Sequence, residues 1–178
     1  MTAATAPVFE SIAAAAARES PLWHASLREA ADREHALVFS PLASERYALA
    51  VETIYEGYLL HYGSPRLFSP VDADVALLLG DYLYAHGLVH VAATGCVAAV
   101  RDLAELISLC AQARADRGPG EGAAWAATAA LLGCGALETA RAALREDRDA
   151  EALDLAAREE AGDEAVDRAL AAHAARVR

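Results

Sequence analysis

The chain has 178 residues, a formal net charge of −11 and 56% hydrophobic residues, and only 6% of its residues are aromatic. It contains no lysine, so all 15 basic residues are arginines. This balance argues against binding of a nucleic-acid backbone, which requires clustered basic side chains. The length suits one domain, and alanine, the most used residue, is the strongest helix former. We therefore expect an all-α bundle of about seven helices.

The first half of the chain carries clear helix boundaries. A helix is predicted over Pro7 to Glu19, and Ser20 followed by Pro21 is typical of a second helix start. Ser40 and Pro41 repeat that pair, so the third helix is predicted to begin there and to end at Gly63. A loop from Ser64 to Ser69 follows, with Arg66 as its only base.

The fourth helix is predicted to begin at Ser69 and Pro70, with Asp72 and Asp74 in its first turn, and to end before Gly95. Residues 75–91 are apolar on nearly every face, which favours a central helix surrounded by others. The fifth helix is predicted over Val97 to Ala115. Three of its polar residues are expected on the wetter side, namely Arg101, Asp102 and Glu105.

The rest of the chain is predicted as a plain connector over 116–122, a sixth helix over 123–144, and one or two peripheral helices over 149–178 broken near Gly162. One domain over 1–178 is expected, with N-terminal helices in 1–40, a core in 41–145 and peripheral C-terminal helices in 146–178. Cys96, Cys110 and Cys134 lack metal or disulfide spacing and are expected to be small buried hydrophobes. Without a signal-peptide pattern or a long apolar run, we expect a cytoplasmic protein with no stable membrane insertion.

Two motifs in the middle of the chain resemble a known family. The first combines Glu52 and Ile54 with Leu59-Leu60-His61, and the second reads Gly80-Asp81-Tyr82-Leu83. In this order they resemble trans-polyprenyl diphosphate synthases, all-helical magnesium-dependent enzymes that lengthen isoprenoid chains. The resemblance covers roughly Ser44 to Ala140. In the family, two aspartates follow the histidine, but here Tyr62 and Gly63 replace them.

The missing aspartates decide what the resemblance implies. Magnesium is held by several hard oxygen ligands, which a phenol and a glycine do not supply. The family's second aspartate-rich motif is absent between Arg141 and Arg178, and its Lys-Thr element reads Ala127-Thr128. The resemblance thus implies a pseudoenzyme: a non-catalytic subunit of a heteromeric polyprenyl diphosphate synthase in isoprenoid and quinone side-chain biosynthesis. It would have no cofactor of its own, would meet magnesium only through its catalytic partner, and would help set product chain length.

The resemblance also implies roles for particular residues. His61, Tyr62 and Gly63 would be degenerate motif positions, and no residue is assigned a catalytic role. A prenyl cavity would be lined by Tyr55, Tyr58, Leu59 and Tyr62. The contact with the partner would be made by Val75, Leu78, Leu79, Tyr82, His86, Val89 and His90. Glu52 and Asp81 would be structural polar residues, and an apolar helix requires a partner for Asp81, either His61 or His86.

Two other functions remain open on the sequence. His86 and His90 are four residues apart and share a helix face, as in a two-histidine metal clamp. If His61 and Asp81 converge with them, the chain would be a helical metal-dependent hydrolase or lyase. Alternatively, the chain is a self-associating scaffold, with a homodimer as its form when alone.

Overall fold

The computed structural model describes residues 5–177, and side chains within 7–177, as an all-α fold, which confirms the predicted class. The described residues form nine α-helices rather than seven and no β-strand. The helices are α1 Thr5–Glu19, α2 Pro21–Ala25, α3 Ala48–Tyr62, α4 Ala73–Ala92, α5 Val97–Ala115, α6 Glu121–Ala130, α7 Glu138–Asp147, α8 Glu151–Ala161 and α9 Asp163–Ala174. Three short 3₁₀ turns precede α3, at Ala30–Asp32, Ser40–Leu42 and Glu45–Tyr47.

The central helix of the bundle is α3, in which every residue from Ala50 to Leu60 is buried. The prediction that the fourth helix is central was wrong. Helix α4 packs along α3 on one side, but Leu77, Leu78 and Val89 are 52%, 54% and 64% exposed. The sequence alone did not show which of the two helices is central, because an apolar helix side has the same hydropathy pattern whether it is exposed or buried.

Two hydrophobic clusters flank α3. The larger one joins Tyr55 and Tyr58 of α3 to Phe39, Trp125 and apolar residues of α5 to α9. The smaller one joins α1 to the inner side of α4, through Phe9, Ile12, Phe68, Leu79 and Leu83. Burial of apolar surface stabilises the folded state by about 25 cal/mol per Å² of buried area. The smaller cluster therefore fixes one side of α4 and leaves the other side open.

Several predicted helix ends are confirmed. The backbone N–H of Leu22 donates to Ser20 Oγ at 3.1 Å, with Pro21 at the first helical position. The predicted start of the fourth helix at Ser69 and Pro70 was wrong, because α4 begins at Ala73 and Asp72 is its cap, accepting the N–H of Val75 at Oδ1 over 2.8 Å. Ser40 likewise begins only a 3₁₀ turn, and α3 starts eight residues later than Ser40, at Ala48.

The predicted sixth helix is two helices. Helix α6 ends at Ala130, and α7 starts at Glu138 after a turn with Gly133 and Gly135 at φ +88° and +68°. The break near Gly162 is confirmed, since this glycine separates α8 from α9. The loss of helical φ at the two turn glycines explains why a continuous apolar pattern did not give one helix.

Three placements differ from the expectation. Asp102, predicted on the wet side of α5, is buried and paired with Arg141. The C-terminal helices are not peripheral, because Leu153, Val166 and His173 are buried in the core. Of the three free cysteines only Cys110 is buried; Cys96 is half-buried and Cys134 exposed. For Asp102 the contact partner lies 39 residues away in sequence.

Helix α4 has one further property. Within the described residues it is the one helix long and apolar enough to cross a membrane by length and composition, and 33% of that stretch is buried. It also carries Asp74, Asp81, His86 and His90. Helices that pack against other protein surfaces also satisfy this criterion of length and hydropathy.

Candidate functional site

The C-terminal end of α3 forms an open depression at the positions of the predicted degenerate motif. Leu60, His61, Tyr62 and Gly63 line it together with Arg114 from the last turn of α5, and its volume is about 310 Å³. The three motif residues thus lie together on the surface. The charged groups around them decide what this depression can bind.

His61 faces Asp81 of α4 and is one of the two partners predicted for this aspartate, but the Asp81 side chain is 64% exposed and not buried as the prediction assumed. His61 Nε2 lies 3.3 Å from Asp81 Oδ1, at an angle that leaves the nitrogen without a hydrogen bond. Burial lowers the pKa of His61, and the Asp81 carboxylate acts in the opposite direction. A Cβ atom on Gly80 would lie 2.5 Å from His61 Nε2, so the Gly-Asp pair allows this histidine to pack against α4.

Arg114, which the sequence did not single out, supplies the positive charge of the depression. It donates through Nη2 to Tyr58 Oη at 2.9 Å and forms an ion pair with Glu121 of α6. Its guanidinium also lies 5.5 Å from the ring centre of Tyr62. Since Glu121 neutralises this charge locally, the depression offers little attraction to a diphosphate.

The C-terminal segment closes over Gly63. The N–H of Ser64 donates to the carbonyl of Arg176 at 2.9 Å, and Gly63 forms an isolated β-bridge with Val177. A Cβ atom on Gly63 would lie 2.6 Å from the Arg176 carbonyl oxygen. This position, where the resembled family has an aspartate, therefore has no room for a side chain.

Tyr62 offers only a phenol to the depression, and burial raises its pKa, which disfavours a phenolate ligand. Among the residues that the structure describes, no group of three or more His, Cys, Asp or Glu side chains is placed to hold a metal ion.

The residues predicted to line a prenyl cavity lie in two environments. Tyr55, Tyr58 and Leu59 are fully buried, and Tyr58 packs edge-on against Trp125 with ring centres 5.6 Å apart. Tyr55 Oη lies 3.1 Å from Nδ1 of His173. Side chains thus fill the space in front of these residues, whereas Tyr62 lines the open depression.

A second candidate site is the uncovered side of α4. Its exposed apolar residues share one side of the helix, and we define them as the α4 face: Leu77, Leu78, Ala85, Val89 and Ala92. Of the seven predicted partner contacts, Leu78 and Val89 are exposed, and Tyr82, His86 and His90 are half-exposed. Val75 and Leu79 point into the interior.

The four polar residues of the proposed metal enzyme do not converge. His61 pairs with Asp81, while His90 Nε2 lies 3.1 Å from His86 Nε2 in a separate pair. The structure therefore does not meet the condition on which the hydrolase alternative depended, namely four ligands around one point.

A buried polar network connects the middle of α3 to the segments before and after this helix. Glu52, predicted to be a structural polar residue, is fully buried, as are Glu56 and Arg66. Arg66 binds both carboxylates, and Glu52 also accepts from the N–H groups of Val38 and Ser40. The sequence held a signal for this network, since two glutamates four apart in an apolar helix require a buried cation.

Comparisons with known proteins assign no family to the chain. No protein-family model, no curated protein and no solved structure matches it.

Proposed function

We propose that this chain is a non-catalytic subunit that docks through the α4 face on a catalytic polyprenyl diphosphate synthase. The observation that carries the proposal is that face: a 20-residue helix fixed on its inner side, with Leu77, Leu78 and Val89 more than half exposed on the outer side. Monomeric proteins rarely leave contiguous apolar surface uncovered, and such patches mark interaction sites.

The end of α3 supports the non-catalytic role. Tyr62 and Gly63 stand where the resembled family has magnesium ligands, and Gly63 is packed against the Arg176 backbone. Arg114, the base at this end, is paired with Glu121. Magnesium and diphosphate chemistry would therefore belong to the partner, and this chain would complete the partner's fold and help set product length.

Charge favours a different protein over a second copy as the occupant of the α4 face. Asp72, Asp74 and Asp81 lie exposed along the same helix, in a chain with a net charge of −11. Two copies would bring like charges together, which costs free energy at an interface. A partner with an apolar groove and basic residues at its rim fits better. A stable interface of this kind buries about 1,600 Å² in total.

The test is co-expression with a synthase that carries both aspartate-rich motifs and is encoded in the same genome. Light scattering after gel filtration should show a mixed complex, and elongation of isopentenyl diphosphate should exceed that of either protein alone. Leu78→Glu and Val89→Glu should abolish both results. Leu155→Glu on α8 is a matched control, because Leu155 is 55% exposed and Leu78 is 54% exposed.

Two results would contradict the proposal. One is a synthase that neither associates with the chain nor gains activity from it. The other is wild-type association by the Leu78→Glu variant. A homodimer that Leu78→Glu dissociates, without binding of a synthase, would establish the self-associating scaffold instead.

A further inference from the structure

The imidazoles of His86 and His90 meet on one side of α4. Their Nε2 atoms lie 3.1 Å apart, with ring centres 4.4 Å apart and ring planes at 77°. A zinc–imidazole bond is about 2.0–2.1 Å, so two nitrogens at this separation would subtend roughly 100° at a shared ion. That angle lies between those of square-planar and tetrahedral coordination.

Neighbouring rings hold His86 in place. Tyr82 stacks on His86 with ring centres 5.4 Å apart and planes at 17°, and Trp23 of α2 stacks on Tyr82 at 6.0 Å. A chelating side chain whose rotamer is fixed by packing loses less entropy when it binds an ion. The ring stack therefore pre-organises one of the two nitrogens.

The pair is accessible from solvent. His86 and His90 line an open depression of about 570 Å³ together with residues of α1, among them Glu10, Ser11 and Arg18. The depression has room for water molecules to complete a coordination sphere. The Glu19 carboxylate favours a positive charge at His86, while the Arg18 guanidinium opposes it.

We propose that His86 and His90 form a two-histidine binding site for a divalent transition-metal ion. Imidazole ligands suit Cu²⁺, Ni²⁺ and Zn²⁺, whereas Mg²⁺ and Ca²⁺ prefer oxygen ligands, and the Irving–Williams order places Cu²⁺ highest. With two protein ligands, the remaining positions are filled by water or by a group of a docked protein. This inference is independent of the proposed synthase partner, because it concerns the isolated chain.

The experiment is titration of chelator-treated protein with Cu²⁺, Ni²⁺, Zn²⁺ and Mg²⁺ by calorimetry, with thermal unfolding in parallel. We expect one Cu²⁺ per chain, an increase in Tm with Cu²⁺ concentration, and no response to Mg²⁺. His86→Gln and His90→Gln should each weaken Cu²⁺ binding by at least about tenfold. His24→Gln and Cys134→Ser, which alter exposed potential ligands elsewhere, should leave the affinity unchanged.

Electron paramagnetic resonance of the wild-type copper complex gives a result that does not depend on how any variant folds. Hyperfine structure from two imidazole nitrogens is the expected spectrum. A wild-type chain without stoichiometric binding, or a His86→Gln/His90→Gln variant that binds as tightly as the wild type, would overturn the proposal. The pair would then be only a hydrogen bond between neutral rings.

Discussion

Arg66 and Glu56 form an ion pair, 2.9 Å between Nε and Oε2, with neither side chain exposed to solvent. The guanidinium also binds Glu52 through Nη1 and donates to the carbonyl of Ala36 at 2.8 Å. The other oxygen of Glu56 accepts from the N–H of Leu67. Burial opposes the charge of Arg66, but the two carboxylates outweigh it and raise its pKa. The network ties the segments before and after α3 to the middle of that helix.

Replacement of Arg66 by leucine should destabilise the protein by about 3–5 kcal/mol, because two carboxylates would be left buried without their cation. The measurement is urea unfolding followed by circular dichroism. Arg168→Leu is the control, since Arg168 pairs with Glu164 on the exposed surface of α9, and its loss should cost about 0–1 kcal/mol. Equal losses in the two variants would contradict the account of the network.

Two ion pairs between α5 and α7 differ mainly in burial. Asp102–Arg141 and Glu105–Arg145 both have N–O distances of 2.9 Å, but the first is buried and the second half-exposed. Asp102→Ala should cost about 3–5 kcal/mol, because it leaves Arg141 buried and unpaired. Glu105→Ala should cost no more than about 1 kcal/mol. Matched urea titrations compare the two, and a larger loss for Glu105→Ala would refute the argument.

The protein should lose stability in mild acid through His173. Burial lowers its pKa to about 4, and Arg114 acts in the same direction. The unfolded chain binds a proton near pH 6.5, so the free energy of unfolding should fall between pH 6.5 and 4, by roughly 3 kcal/mol from this residue. Above pH 6.5 the folded and unfolded chains carry the same charge at this site, and the effect vanishes.

Urea unfolding at a series of pH values measures this effect. His61, His86 and His90 also have lowered pKa values and add to the slope, so the informative quantity is the difference between variants. His173→Gln should flatten the profile, whereas His24→Gln, a change at an exposed histidine, should leave it as it is. Identical profiles for wild type and His173→Gln would disprove the assignment.

Gly63→Ala should destabilise the protein by about 1–3 kcal/mol, since the new methyl group meets the Arg176 backbone at 2.6 Å and Leu59 at 3.0 Å. Gly118→Ala is the control, because its nearest neighbour would be 3.7 Å away. Thermal unfolding measures both changes. A neutral Gly63→Ala variant would mean that the C-terminal segment moves away easily.

Local signals allowed much of the fold to be predicted. The bounds of α5, Val97–Ala115, agree with the prediction, and Ser20 caps α2 as expected. These features depend on residues within one turn of each other, so sequence spacing specifies them. The all-α class followed from the same local preferences, summed along an alanine-rich chain.

Features that depend on distant partners escaped prediction. Asp102 has the spacing of a surface residue, and its burial depends on Arg141, which belongs to another helix. The wrong prediction that α4 rather than α3 is the central helix has the same origin, because hydropathy does not show which side of a helix packs against the rest of the chain. At the candidate site, the His61–Asp81 contact was predicted, but the burial of Asp81 from which it was argued was wrong, because its side chain is 64% exposed. The closure of Gly63 by Arg176 joins residues that no motif connects.

The open side of α4 also bears on how much of the free chain a cell can tolerate. The exposed side chains of Leu77, Leu78 and Val89 on the α4 face can bind other exposed hydrophobic surfaces non-specifically. Copies of the chain whose α4 face stays uncovered would be substrates for chaperones and proteases. If a partner covers the α4 face as proposed, we expect synthesis of this chain to be matched to that of the partner, and unmatched copies to be short-lived.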